Sequence, residues 1–186
     1  MKQTLKALLL ATTLTAASAA SMVMAANPQV GGADMFETRN IVENAVNSAD
    51  HTTLVAAVQA ADLVETLQGP GPFTVFAPVN AAFAALPDGT GETLLMPENI
   101  GLLQKVLTGH VVAGNITAAQ LAARARSSRD GFYHFNAVSG DALSAQVRGR
   151  NVYIYDESGN AARVTISDVM QSNGVIHVID SVLVPK

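Results

Sequence analysis

Apolar residues recur at helical spacing over the first part of the chain and at alternating spacing toward its end. In "ETRNIVENAVNS" (37–48), Ile41, Val42, Ala45 and Val46 fall on one helical face. "HTTLVAAVQAADLVETL" (51–67) repeats the pattern with Leu54, Val55, Val58 and Ala61, breaks near Asp62, and resumes with Leu63, Val64 and Leu67. Asp50 stands where the N-cap of that segment is expected. "QGPGP" (68–72) is a turn cluster that no helix crosses. "FTVFA" (73–77) predicts a short strand stopped by Pro78, and Asn80 is the expected cap of a helix over 81–86. A helix is expected within 91–112, with Ile100, Leu103, Val106 and Leu107 on one side, and another over 115–125, capped by Thr117.

From Tyr133 onward the pattern turns to β. Strands are predicted over 142–148, 151–156, 162–170 and 175–184, separated by turn signals at Gly149-Arg150, Glu157-Ser158-Gly159-Asn160 and Ser172-Asn173-Gly174. Helices first and an antiparallel β region second make the class α+β, with helices packed on a sheet or sandwich.

The N-terminus stands apart. Lys2 and Lys6 precede an apolar stretch from Ala7 to Leu14, and A-x-A-like sites follow at Ala17–Ala19 and Val23–Ala25. This is the pattern of a cleaved secretory signal over 1–25, and its apolar core is shorter than the roughly 20 residues a bilayer span takes. Residues 26–36 read as a flexible leader and 37–186 as one domain. Without residues 1–25, 9 basic residues face 15 acidic ones. An acidic surface argues against nucleic acid and anionic membrane as partners. Aromatics are 5% and Trp is absent, which argues against stacking platforms for bases or sugars. With no Cys, the protein has neither disulfides nor a lipid-modified cysteine and relies on its core.

Three stretches carry a resemblance. "GPFTVFAPVNAAFAALP" (71–87) resembles the first signature box of the fasciclin (FAS1) domain, and "SNGVIHVIDSVLVP" (172–185) resembles its second. "VLTGHVVAG" (106–114) resembles the Tyr-His segment between them, and the likeness runs from about Asn40 to Pro185. It implies a wedge of two β-sheets with several helices along one side. It also implies a non-catalytic role in adhesion or extracellular binding, with a protein or a cell-surface or matrix component as partner. Some fasciclin-like proteins carry pigments or lipids between helix and sheet, so an apolar small ligand is the alternative. Two positions depart from the family pattern. Gly109 stands where the family has Tyr before His110, and Ser167 replaces a Pro in "ISDVM" (166–170), where Asp168 and Met170 match. The integrin-binding role of animal members is therefore not carried over. Gly109, His110, Asp168, Val169 and Met170 mark candidate interaction positions.

His177 and Asp180 interrupt the apolar run of the second box. Side chains alternate across a strand, so these two point to opposite faces and cannot act as a pair. Each is expected to bond backbone groups of adjoining segments, because an unpartnered buried polar group costs about 1–3 kcal/mol. His110, just past a helix end, invites the same reading. An enzyme is the minority expectation: there is no G-x-S-x-G elbow, P-loop or dinucleotide fingerprint. The four histidines show neither H-x-H nor H-E-x-x-H spacing, so no metal or cofactor is expected. Asp130 and His134 form the single local pair with ligand-like spacing, read as an exposed polar loop.

Overall fold

The computed structural model describes residues 27–87, 90–94 and 96–184, and the expected signal segment lies outside them. Helix α1 (Ile41–Ala45) starts at a capping box, in which the Asn40 side chain accepts from the Glu43 N–H and Glu43 reaches back to the Asn40 N–H. A 3₁₀ turn (Ala49–His51) leads into α2 (Thr52–Ala60), which ends before Asp62 at φ 57°. Next come α3 (Val64–Gln68), β1 (Phe73–Pro78), α4 (Asn80–Ala84), α5 (Thr90–Leu94) and α6 (Ile100–Thr108). The chain continues through β2 (Val111–Ala113) and α7 (Ala118–Ser127), then β3 (Phe132–Asn136), β4 (Ala142–Arg148), β5 (Asn151–Tyr155), β6 (Ala161–Gln171) and β7 (Gly174–Ile179).

The strands form a seven-stranded sheet in the order β2-β1-β7-β6-β5-β4-β3. It folds back on itself about β6, whose 11 residues pair with β5 at one end and with β7 at the other. Phe76 of β1 and Phe135 of β3 lie far apart in strand order, yet their ring centroids are 6.1 Å apart. The two halves of the sheet therefore face each other, which is the expected wedge. Between them sits one core cluster, built from Phe76, Leu121, Leu143, Ile154, Ile179 and Leu183. The other lies where the helices cover the opposite face of β1 and β7, with Leu54, Val58, Leu103, Val106, Val75 and Val178.

Strand β1, embedded among the helices, runs parallel to β7, with Phe76 opposite His177. The β region is thus mixed rather than purely antiparallel, and the two fasciclin-like boxes lie side by side at its centre. Gly174 opens β7 where a Cβ would stand 2.0 Å from the Phe73 carbonyl oxygen, so only glycine lets the strands begin together.

Several local expectations change. The described part of the expected flexible leader is packed: Val30 and Met35 are buried, and the Asn27 amide bonds both the N–H and the C=O of Met170. Asn80 does not cap its own helix. Its Oδ1 accepts from Thr53 N–H at 3.0 Å and from the Thr52 hydroxyl, so it caps α2 from across the fold, and Asp50 does not. Ile100 is exposed while Leu103, Val106 and Leu107 are buried. β7 ends at Ile179, short of the predicted 184, because Asp180 turns toward Arg163.

Candidate functional site

His177 lies on β7 between the two halves of the sheet, fully buried and stacked on Phe76 with centroids 5.7 Å apart. Its Nε2 donates to the Ile116 carbonyl at 2.8 Å, and its Nδ1 accepts the Asp168 N–H at 3.2 Å. Both ring nitrogens are used, which defines the neutral Nε2–H tautomer. Burial lowers its pKa, and the Ile116 carbonyl and Asp168 oppose that shift.

His110 makes the complementary arrangement. Its Nδ1 donates to the Val106 carbonyl at 2.8 Å and its Nε2 accepts the Leu183 N–H at 2.9 Å. Burial pushes its pKa down to about 4. The ring ties the end of α6 to the chain after β7, and the His110 carbonyl accepts the Phe76 N–H. Gly109 beside it is also buried. A Cβ there would come within 3.1 Å of the Val106 carbonyl oxygen.

Asp168 sits in the bulge of β6 with φ 57°, and its Oδ1 accepts the Ala118 N–H at 2.7 Å. It thereby adds to the Thr117–Gln120 capping box at the start of α7. Asp168 and His177 are neighbours through one hydrogen bond across the hairpin of β6 and β7. Val169 is buried in the helix-side core, and the Met170 backbone is paired to Asn27. Asp180 stands apart from these groups: its Oδ1 accepts the Arg163 N–H at 2.8 Å and its Oδ2 pairs with Arg163 Nε at 3.3 Å. The candidate positions are thus distributed over the frame and do not converge on one reaction centre.

Asp130 and His134 pair at 2.8 Å on the exposed surface. The Ser128 hydroxyl and His134 hold the Asp130 carboxyl below the usual range. Among the described residues, no group of three or more His, Cys, Asp or Glu could hold a metal ion. Nearby, Phe132 meets Tyr155 edge-on at 5.5 Å, and Arg148 lies over Tyr153 and Tyr155. The few aromatic residues here stabilise each other across β3, β4 and β5.

A further feature escapes the sequence patterns. An apolar cleft enclosing about 70 Å³ lies between α1, α2, α3 and the helix-side face of the sheet. Ile41, Leu54, Val58, Leu67, Phe73 and Leu107 line it, and no Asp, Glu, Lys or Arg does. His51, 3% exposed, also lines it. The Ser48 hydroxyl lies 2.8 Å from His51 Nδ1, whereas Nε2 has no hydrogen-bond partner. Burial lowers the His51 pKa, and the Ala77 backbone and the Asp50 charge oppose that shift. A Ser–His contact alone does not make a nucleophile. Ser48 is 2% exposed, and no carboxylate orients the ring. The spacing Ser48-x-x-His51 at a helix start is the one sequence sign of this contact.

The comparisons with known proteins agree with this frame. The model of the fasciclin domain matches residues 49–185. Protein sll1483 of Synechocystis sp. is 52% identical over 145 residues, which cover 78% of this chain and 73% of that protein. Transforming growth factor-beta-induced protein ig-h3 of Sus scrofa is 36% identical over 132 residues, 71% of this chain and 17% of that protein. Among solved structures, a FAS1 domain pair from the insect cell adhesion molecule Fasciclin I matches with a TM-score of 0.68 at 18% identity. That match covers 78% of this chain and 50% of the other. The paired boxes, the folded sheet and these likenesses lead to one assignment: the chain belongs to the fasciclin domain family.

Proposed function

We propose that this protein is an exported interaction module that mediates adhesion or binding at a cell surface or matrix, without catalysis. The observation that carries this reading is how the box residues are used. His110, Asp168 and His177 direct their hydrogen-bonding groups at backbone inside the frame. Recognition is then left to outer surfaces. Met96, Ile100 and Leu102 leave apolar side chains exposed around the start of α6, the kind of feature that marks an interaction site. The adhesion molecule among its structural likenesses supports the same reading, and the N-terminal signal pattern supports export.

The test uses whole cells. A strain lacking the protein is expected to attach to surfaces and form biofilm less well than the parent. Restoring the protein with Met96→Asp and Leu102→Asp together is expected to leave attachment low. The melting temperature should barely move, because exposed substitutions usually change stability by less than about 0.5 kcal/mol. Unchanged attachment in the deletion strain rejects the adhesion reading.

A second reading, carriage of an apolar small molecule, is favoured by one observation: the uncharged cleft between helices and sheet.

A further inference from the structure

We propose that the outer face of β3, β4 and β5 binds an acidic polysaccharide, with sugar rings laid on Phe132, Tyr153 and Tyr155 and a uronate carboxylate held by Arg148. This rests on the reading of the protein as a surface- or matrix-binding module, and it names a partner class and a place. The first observation is the strand register. Phe132 stands opposite Gln146 and Gln146 opposite Tyr153, while Ser144 lies between His134 and Tyr155. These side chains therefore share one face. The alternate residues, among them Leu143, Ala145 and Ile154, enter the core with Leu121 of α7. On the outer face Phe132, Tyr153 and Tyr155 stay half-buried and His134 is exposed, so that face is open. With six Phe and three Tyr in the chain, composition argues against a stacking surface. Strand pairing nevertheless gathers three of those rings and His134 into one strip. The ring centroids of His134 and Phe132 are 6.1 Å apart, and those of Phe132 and Tyr155 are 5.5 Å apart.

The second observation is how Arg148 is held. Its guanidinium lies 5.4 Å from the centre of the Tyr155 ring and 5.5 Å from that of Tyr153. Its Nε donates to Gln146 Oε1 at 2.8 Å, and the Tyr155 hydroxyl donates to the same oxygen at 3.1 Å. Among the described residues, no group pairs with its two terminal nitrogens. The carboxylates bordering the face are already engaged. Asp130 pairs with His134, Glu157 accepts the Ala142 N–H, and Asp180 pairs with Arg163. A planar fork fixed beside aromatic rings is thus left to meet an anion, and a carboxylate matches its geometry.

The third is the distribution of charge. Residues 27–117 contain nine acidic and two basic residues, whereas 124–163 contain six arginines and four acidic residues. An anionic chain is repelled by the helical part and steered toward the strands. The strip offers several rings but a single free guanidinium among them. A nucleic acid carries a phosphate at every nucleotide and needs a track of cations. An acidic peptide brings charge without flat faces. A uronate-bearing chain supplies apolar C–H faces for the rings, hydroxyls for Gln146 and Ser144, and a carboxylate for Arg148.

The test is calorimetric titration of the purified protein with hexamers of galacturonate and of mannuronate, and with the methyl ester of the first. Uronate binding is expected, with the ester about tenfold weaker or more, the worth of a hydrogen bond to a charged group. Arg148→Gln should weaken uronate binding to a similar degree and Tyr153→Leu several-fold. Arg148→Lys should restore part of the loss, because an ammonium lacks the planar fork. In the unaltered protein, NMR should show sugar C–H resonances moving upfield, the mark of protons held over aromatic faces. Failure of both uronate hexamers to bind overturns the proposal, and poor attachment of the deletion strain then leaves the adhesion reading standing. Uronate binding beside unchanged attachment supports this face while rejecting adhesion. An ester that binds as tightly as the acid overturns the role of Arg148. A glutamate hexamer or a thymidylate hexamer that binds as tightly as the uronates overturns the sugar assignment, in favour of an acidic peptide or a single-stranded nucleic acid.

Discussion

The three buried histidines show how one residue type serves different ends according to what surrounds it. His110 and His177 each join two distant pieces of backbone, and His51 pairs with the Ser48 hydroxyl three residues before it. Burial lowers the pKa of all three, His110 to about 4. The unfolded chain takes up protons near the ordinary value of about 6.5, while the folded protein resists until much lower pH. Stability is therefore fully present above that value and is lost as pH falls from there toward 4. For His110 alone the loss amounts to about 3 kcal/mol. Urea unfolding between pH 7 and 4 is expected to show this decline, with a shallower slope in His110→Gln. A flat profile would contradict the neutral, buried state of the ring. Alternation along the strand already placed His177 and Asp180 on opposite faces. It could not name the partner of His177, because Ile116 lies 61 residues away.

Among the elements, caps with local partners were legible and caps with distant partners were not. Thr117 with Gln120 follows the spacing of a capping box and forms one. Asn80 is the first residue of α4, yet its side chain serves α2, where Thr53 is 27 residues away. Its amide also donates to the Ala49 carbonyl, so the start of α2 is fastened to the turn after β1. Asn80→Ala is expected to lower unfolding stability by about 1–2 kcal/mol, read as a shift in the urea midpoint at constant slope. Asn80→Asp should retain much of the cap, because its carboxylate still accepts from Thr53. An equal loss in both variants would place the effect in the Ala49 contact instead. The packed segment 27–35 was missed for the same reason. It has no periodic pattern, and Asn27 is held by the backbone of Met170, 143 residues on.

At the scale of the whole molecule, the parallel pairing of β1 with β7 brings the two signature stretches together and divides the core in two. Gly174 makes the close start of these strands possible. Gly174→Ala is expected to cost about 3 kcal/mol or more, because the intruding Cβ meets rigid backbone and not a movable side chain. A thermal melt within a degree or two of the parent would show that the strands part at little cost. By itself, the sequence determined the class, most of the strands, the break at Asp62 and the family likeness. Each of these rests on residues close together in the chain, where spacing maps directly onto geometry. Only the tertiary structure decided that β1 lies beside β7, that Asp168 meets His177, and that Asn80 caps a distant helix. It alone showed the uncharged cleft between helices and sheet, with His51 in its wall. Most of those contacts join segments far apart in sequence, and their partners are largely backbone groups. Every residue carries such groups, so no pattern of residue types announces which of them will meet.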